Sequence, residues 1–354
     1  MSPLFGRAGL VRQQQKRWSI ERSVDFGPMR GIIEAQGQGV TCSCGGNHQN
    51  LVWPWNDVPG PLIFSYQAGY ERLGNVLLRA HQVADLLAEQ GPPFSVFSQP
   101  LENLYLSRPR GATIIVSKTG VKLRHLGLLK ALRKAGNLLV FDMVDGVIPP
   151  ELENLPDAYV CSSVSEYEAR LAAGHSAFLS LHSPDHRMPR HRFVDKDFGV
   201  VYFGLAENAK HLGNISDIVT LDYDDMPAHR HTEPVPTGFS EMALASHHYS
   251  IRQWNSRDGF KPLTKAAVAG TFGSCIIAAA DEHEALTLLG SDYPYLAASS
   301  ELDDVSRTVE FAKETYLTDT WRHAVARMVT LTQKTCPVAT AHQLVVGLSR
   351  LGGR

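Results

Sequence analysis

This sequence of 354 residues lacks long apolar runs, a disulfide framework, a dominant charge sign and the common nucleotide-loop motifs. No stretch approaches the roughly 20 consecutive apolar residues that cross a bilayer, and the N-terminus has no apolar segment of the secretory type. The cysteines (Cys42, Cys44, Cys161, Cys275 and Cys336) are scattered and odd in number, which suits a reducing compartment. A cytoplasmic protein is therefore expected. Formal net charge is only −2, so no global field favours nucleic acid as a partner. There is no G-x-S-x-G elbow, no Walker loop and no G-x-G-x-x-G after a strand; Gly37-Gln38-Gly39 lacks the third glycine, against a nicotinamide cofactor. No internal repeat and no low-complexity tract is present.

What is there suits a globular protein with substantial cores: 44 % hydrophobic and 20 % charged residues, over a length that suggests two domains. Residues 1–27 form a basic arm (Arg7, Arg12, Lys16, Arg17, Arg22) with Leu4, Phe5, Leu10, Val11, Trp18 and Ile20 between the charges. Such an arm is either loosely docked or a foot for anionic lipid headgroups.

From Gly60 short apolar strands alternate with helices. Strands are expected at 61–64, 95–97, 113–116, 138–141 and 158–161. Leu73, Val76, Leu77, Ala80, Val83, Ala84 and Leu87 make one helical stripe, with Arg79, Gln82, Asp85 and Glu89 opposite on the wet side. Further helices are expected over about 121–135, stopped by Gly136, and through Tyr167 to Ala173. Prolines, histidines and charges crowd aperiodically over 183–196, which reads as a linker. The alternation restarts with strands at 199–203, 217–221, 242–245 and 275–277, a helix opening at Lys261-Pro262, and three further helices. Trp321, Ala324, Val325, Met328 and Val329 form a stripe on the second of these. This rhythm predicts an α/β protein of two Rossmann-like domains facing each other across a cleft, spanning 28–185 and 198–354.

In open parallel sheets ligands sit beyond the carboxyl ends of the strands, which directs attention to three turns. At Gly204, a strand runs into glycine and then a short helix, whose amides could face an anion. In Lys261-Pro262-Leu263-Thr264-Lys265, proline at a helix start places Lys261 and Lys265 on one face, near the positive end of the helix dipole. Lys265 is expected on the wet side of the first turns. Two cations there make sense with an anion between them, a diphosphate above all. Asp142 and Asp145, at the end of the strongest strand, are candidate hydroxyl binders or bases. Two rival metal signals exist. Asp222-Tyr223-Asp224 is a D-x-D pattern with His229 and His231 behind it, and Cys42, Cys44 and His48 lack a regular four-ligand spacing.

The run His248-Tyr249-Ser250-Ile251-Arg252, Lys261-Pro262-Leu263-Thr264-Lys265, Gly273-Ser274-Cys275-Ile276-Ile277 and Leu289-Gly290-Ser291-Asp292-Tyr293 resembles the donor half of GT-B-fold glycosyltransferases from bacterial surface-polysaccharide clusters. The resemblance covers about 198–330. It implies a GT-B-like fold, a nucleotide-diphosphate sugar as donor substrate and no separate cofactor or metal. A saccharide or lipid-linked acceptor would bind the N-terminal domain, and the arm would then touch the inner face of a membrane. Donor binding would fall to Gly204, Asn208, Tyr249, Arg252, Lys261, Thr264, Lys265, Asp292 and Tyr293, and acceptor chemistry to Asp142 and Asp145. Many retaining relatives carry two glutamates eight apart. Here Gly290 stands eight beyond Glu282 and Asp292 eight beyond Glu284, so no stereochemical course is implied. The alternatives are a nucleotide-sugar epimerase-like enzyme, a metal-dependent GT-A transferase using Asp222 and Asp224, and a non-catalytic saccharide-binding relative.

Overall fold

The computed structural model describes residues 51–191, 193, 196–221, 238–254 and 260–352. All of them belong to one compact unit, Gln38–Arg354. The basic arm, the Cys42–His48 segment and the Asp222–His231 segment lie outside the described residues.

The first half alternates strand and helix as its apolar runs require. In chain order it comprises β1 (Leu62–Tyr66), α1 (74–89), β2 (Val96–Pro100), α2 (Asn103–Ser107), β3 (Thr113–Ser117), α3 (Leu126–Lys134), β4 (Leu138–Asp142), α4 (Pro150–Glu153), β5 (Ala158–Cys161), α5 (Val164–Ala172) and β6 (Ala177–Leu179). All six strands pair in parallel, in the order β2-β1-β3-β4-β5-β6. β1, β3 and β5 are buried along their whole length, as a sheet covered on both faces demands. Gly136, at φ +83°, ends α3 where an L side chain would be strained.

The second half comprises β7 (Val200–Phe203), β8 (Ile218–Leu221), α6 (Gly238–Leu244), β9 (His247–Tyr249), α7 (Thr264–Thr271), β10 (Cys275–Ala279), α8 (His283–Leu289), β11 (Leu296–Ala297), α9 (Leu302–Glu314), α10 (Asp319–Thr335) and α11 (Pro337–Gly352). Its parallel sheet runs β11-β10-β9-β7-β8. Each sheet thus places its second strand outside its first and its third on the other side. The winding direction reverses between β1 and β3, and again between β7 and β9, and those reversals are where such sheets leave a crevice.

Several expectations are corrected. Residues 242–245 are not a strand, because Met242, Ala243 and Leu244 end helix α6. The strand is the next segment, His247-His248-Tyr249, whose polar letters conceal a fully buried central strand. His248 donates Nε2–H to the Met242 carbonyl at 3.1 Å, and His247 holds Nδ1 2.9 Å from Ser246 Oγ while its Nε2 stays buried without a partner among the described residues. Four helices follow β10 rather than three. Arg79 and Gln82 are not on a wet face, because both are buried. Helix α1 opens as Gly74–Val76, widens into a π turn at Leu77–His81 and resumes α geometry at Gln82–Glu89. Its polar side packs on the segment leaving β6. Arg79 donates to Asp142 at 2.8 Å and to the Ser180 and Leu181 carbonyls at 3.0 and 3.1 Å; Gln82 donates to Asp185 at 2.7 Å.

The linker is pinned at both ends. Asp185 accepts from Gln82 and from the guanidinium of Arg187, and Lys196 donates to the Ala245 carbonyl and Ser274 Oγ at 3.2 and 2.8 Å. Two further devices join the halves. Glu284, on α8, accepts from the amides of Val164 and Ser165 at the start of α5, where the helix dipole favours an anion. Helix α11, although last in the chain, buries Ala341, Leu344, Val345 and Leu348 in the core of the first half with Trp55, Leu62 and Phe64.

Candidate functional site

A cavity of about 510 Å³ lies between the halves, at both sheet reversals. The first half contributes Gly74, Asn75 and Leu78 after β1, Lys118 after β3, Val144 and Asp145 after β4, and His182 after β6. The second half contributes Val201 to Phe203 of β7 with Gly204, Leu205 and Asn208 beyond it, Met242, His248, Tyr249 and Arg252 around β9, and Lys261, Pro262, Thr264, Lys265 and Val268 at the start of α7.

Of the residues singled out from sequence, Asp145, Gly204, Asn208, Tyr249, Arg252, Lys261, Thr264 and Lys265 meet on this cavity. Asp142, Asp292 and Tyr293 do not. Asp142 is buried behind the wall, where it holds Arg79. Burial pushes its carboxyl up, against the pull of that guanidinium. Asp292 is exposed and paired with Arg327, with His323 Nε2 at 3.2 Å. Tyr293 is a core residue whose hydroxyl donates to the Ile276 carbonyl and accepts from its amide, both at 2.9 Å.

The second half's wall is cationic. Lys261 precedes the helix instead of sharing its first turn with Lys265, because Leu263 (φ −79°, ψ 52°) is the N-cap and Thr264 the first helical residue. Lys265 is half-buried and lines the cavity, as expected, but its charge is not left in open solvent. Its ammonium lies over the Tyr202 ring, 4.3 Å from the centroid, and donates to the Phe203 carbonyl. Burial, with Arg252 and Lys261 as neighbouring positive charges, pulls its pKa down to about 7. No carboxylate pairs with it among the described residues. Gly204, at φ +133°, makes this approach possible, since a Cβ there would stand 3.0 Å from Lys265 Nζ.

Arg252 is fixed by its surroundings. Its Nε lies 3.0 Å from Glu282 and its Nη2 donates to the Pro262 carbonyl at 2.6 Å. Burial raises the Glu282 carboxyl against the lowering effect of Arg252. Tyr249 donates to the Lys210 carbonyl at 2.9 Å, and burial pushes its phenol up. The helix start after Gly204 offers less than its sequence promises. The Gly204 amide points at the Leu221 carbonyl, 3.4 Å away, and the next element is a three-residue 3-10 turn, Ala206–Asn208.

The first half's wall is polar and charge-balanced. Asp145 is ion-paired with Lys118, and both side chains are about one-third exposed. Asp145 does not cap the following segment. The turn that presents it holds Val144 at φ +58°, a conformation costing about 1–3 kcal/mol for a β-branched residue, of the kind stored beside functional clefts. Sequence reasoning missed Asn75, Lys118 and His182. The carboxyl-end rule applied to β1 and β3 would have found the first two. His182 follows β6, a strand of three residues with too little pattern to read.

Among the described residues no three His, Cys, Asp or Glu side chains converge as metal ligands, and no helix is long and apolar enough to cross a membrane.

No family model matches the chain, and no curated protein matches it in sequence. Its architecture is nevertheless shared. A glycosyltransferase from Rickettsia africae aligns over 83 % of this chain and 98 % of its own, with TM-score 0.55 and 6 % identity. The N-terminal domain of trehalose-6-phosphate phosphatase from Candida albicans aligns over 82 % and 96 %, with TM-score 0.51 and 10 % identity. Identities this low speak for the fold alone, two Rossmann-like domains across a cleft.

Proposed function

We propose that this protein is a glycosyltransferase of the GT-B type, a hexosyl transferase moving a sugar from a nucleotide-diphosphate donor to a saccharide or lipid-linked hydroxyl. The observation that carries the reading is the Lys265 ammonium, half-buried against Gly204 with Arg252 and Lys261 as its charged neighbours and, among the described residues, no carboxylate beside it. The Lys265 ammonium has no counter-charge among the described residues until an anion occupies the cavity. A leaving diphosphate supplies that anion and gains negative charge as the glycosidic bond breaks, which fixed cations stabilise. Thr264 and Asn208 supply polar contacts beside the phosphates, and Tyr249 shapes the wall. Opposite them, Asn75 and Asp145 meet an acceptor hydroxyl. Asp142 acts one layer back, holding Arg79.

With cations neutralising the diphosphate, the reaction needs no divalent metal. The basic arm, outside the described residues, is the proposed contact with the inner face of a membrane, on its charge pattern alone.

Thermal unfolding in EDTA with UDP, GDP, CDP, TDP and the parent nucleosides tests the reading. A cognate diphosphate at 100-fold its dissociation constant stabilises the fold by about 2.7 kcal/mol, and its nucleoside far less. Equal shifts from nucleoside and diphosphate, or none from any nucleotide, would contradict it. Donor hydrolysis and transfer assays with the identified nucleotide then separate a transferase from a binding protein.

A further inference from the structure

His182 sits where the crossing segment leaves β6, and its imidazole forms part of the cavity wall. Nδ1 lies 2.8 Å from the Ser183 carbonyl. A carbonyl only accepts, so Nδ1 carries the proton and the ring is held in one tautomer. The other nitrogen, Nε2, therefore presents a lone pair, and it has no partner among the described residues. The contrast with His248, on the same cavity, is direct: there Nε2 lies against the Met242 carbonyl and carries the proton itself.

We infer that His182 is the group that takes the proton of the acceptor hydroxyl, through Nε2. This rests on the glycosyl-transfer reading and deepens it. The acceptor oxygen forms its bond to the anomeric carbon while its proton passes to Nε2. The bond from that carbon to the diphosphate oxygen breaks, and its electron pair leaves on the diphosphate, toward Lys265, Lys261 and Arg252. The neutral imidazole becomes an imidazolium, with the Asp145 carboxylate on its own wall.

The surroundings suit this role. Burial, with the positive charges of Arg79 from α1 and Lys118 from the β3 turn, lowers the His182 pKa to about 4, opposed by Asp145 from the β4 turn. The ring is unprotonated at neutral pH, and the lone pair is available before substrate arrives. So weak a base takes the proton only as the hydroxyl acidifies on bonding to carbon, which couples proton transfer to bond formation. Asp145 is the less available acceptor, because Lys118 already holds it.

Two arms test the assignment. In the first, the parent protein is treated with diethyl pyrocarbonate at pH 6.5 and mapped by mass spectrometry. His182 is expected to be acylated and to be shielded by the cognate nucleotide-sugar, while His248 stays unmodified. An inert His182 overturns the proposal whatever the reaction proves to be. In the second, His182→Asn keeps a donor toward Ser183 and removes the acceptor at Nε2. Transfer kcat is expected to fall about 100-fold or more, with donor KM within about twofold. His182→Ala should be rescued by added imidazoles in proportion to their basicity. A kcat within threefold of the parent, or rescue indifferent to basicity, overturns the catalytic role while leaving glycosyl transfer intact. A parent protein that transfers no sugar overturns the glycosyl-transfer reading and this role with it, and a positive acylation result would then mark only an accessible imidazole.

Discussion

The two halves that flank the cavity use the same basic side chains to different ends. In the first half, Arg79 is matched by Asp142 and two carbonyls, and Lys118 by Asp145. In the second half Arg252 has Glu282, but Lys265 has, among the described residues, only a carbonyl and a ring face. A cation that is matched in the empty protein belongs to the architecture. One that is half-buried and unmatched is poised for a ligand, because the favourable half of its electrostatics is still to come. The lesson is that the presence of lysine or arginine on a cleft says little; whether its counter-charge is already built into the chain says much.

The largest expected effect breaks the matched pair behind the first half's wall. Asp142→Ala leaves the Arg79 guanidinium buried without its carboxylate and should destabilise the fold by about 3–5 kcal/mol, read by denaturant unfolding. Lys265→Met removes an unmatched charge and should leave the melting temperature unchanged or raise it. Should Lys265→Met destabilise as much as Asp142→Ala, the two halves would not differ in this way.

A smaller effect is a pH dependence confined to the cationic wall. The Lys265 pKa of about 7 lies below its unfolded value of roughly 10.4. Between these values the unfolded chain binds the extra proton, so this group makes the ligand-free protein more stable as pH rises. Ligand affinity has the opposite sign. An anion raises the pKa of Lys265, so binding takes up a proton, and affinity should fall by up to about tenfold per unit as pH rises above 7. A nucleotide-diphosphate sugar carries no phosphate monoester that titrates in this window, which makes it the right probe. Calorimetry in buffers of different ionisation enthalpy should show proton uptake by the parent protein and little by Lys265→Met; uptake equal in both would place the titrating group elsewhere.

Legibility in the sequence divided along physical lines too. Strands built of branched and aromatic residues, such as Thr113–Ser117 and Leu138–Asp142, declare themselves because a sheet covered on both faces needs continuous apolar runs. The central strand His247–Tyr249 does not, since two buried imidazoles with internal hydrogen bonds look polar on the page. The four-residue run 242–245 misled because a short apolar run fits a helix end and a buried strand equally well. The π turn hid the burial of Arg79, whose partners lie about a hundred residues away at Ser180 and Leu181. For the cavity, the carboxyl-end rule led to Gly204, Lys265 and Asp145, which line it. It missed His182, whose strand was not read. Asp292 and Tyr293 came from pattern alone, and one is a surface ion pair and the other a core residue.

If Lys265 is held ready for a diphosphate, titration calorimetry at pH 7 on parent and Lys265→Met separates the phosphate's contribution from the nucleoside's. The cognate nucleoside diphosphate should bind the variant more weakly by about 1.5–3 kcal/mol, the worth of a hydrogen bond to a charged partner. The nucleoside alone should bind both proteins equally, because it lacks the phosphates that the ammonium would meet. Unchanged diphosphate affinity in Lys265→Met would contradict the account and leave the cationic wall without its assigned ligand.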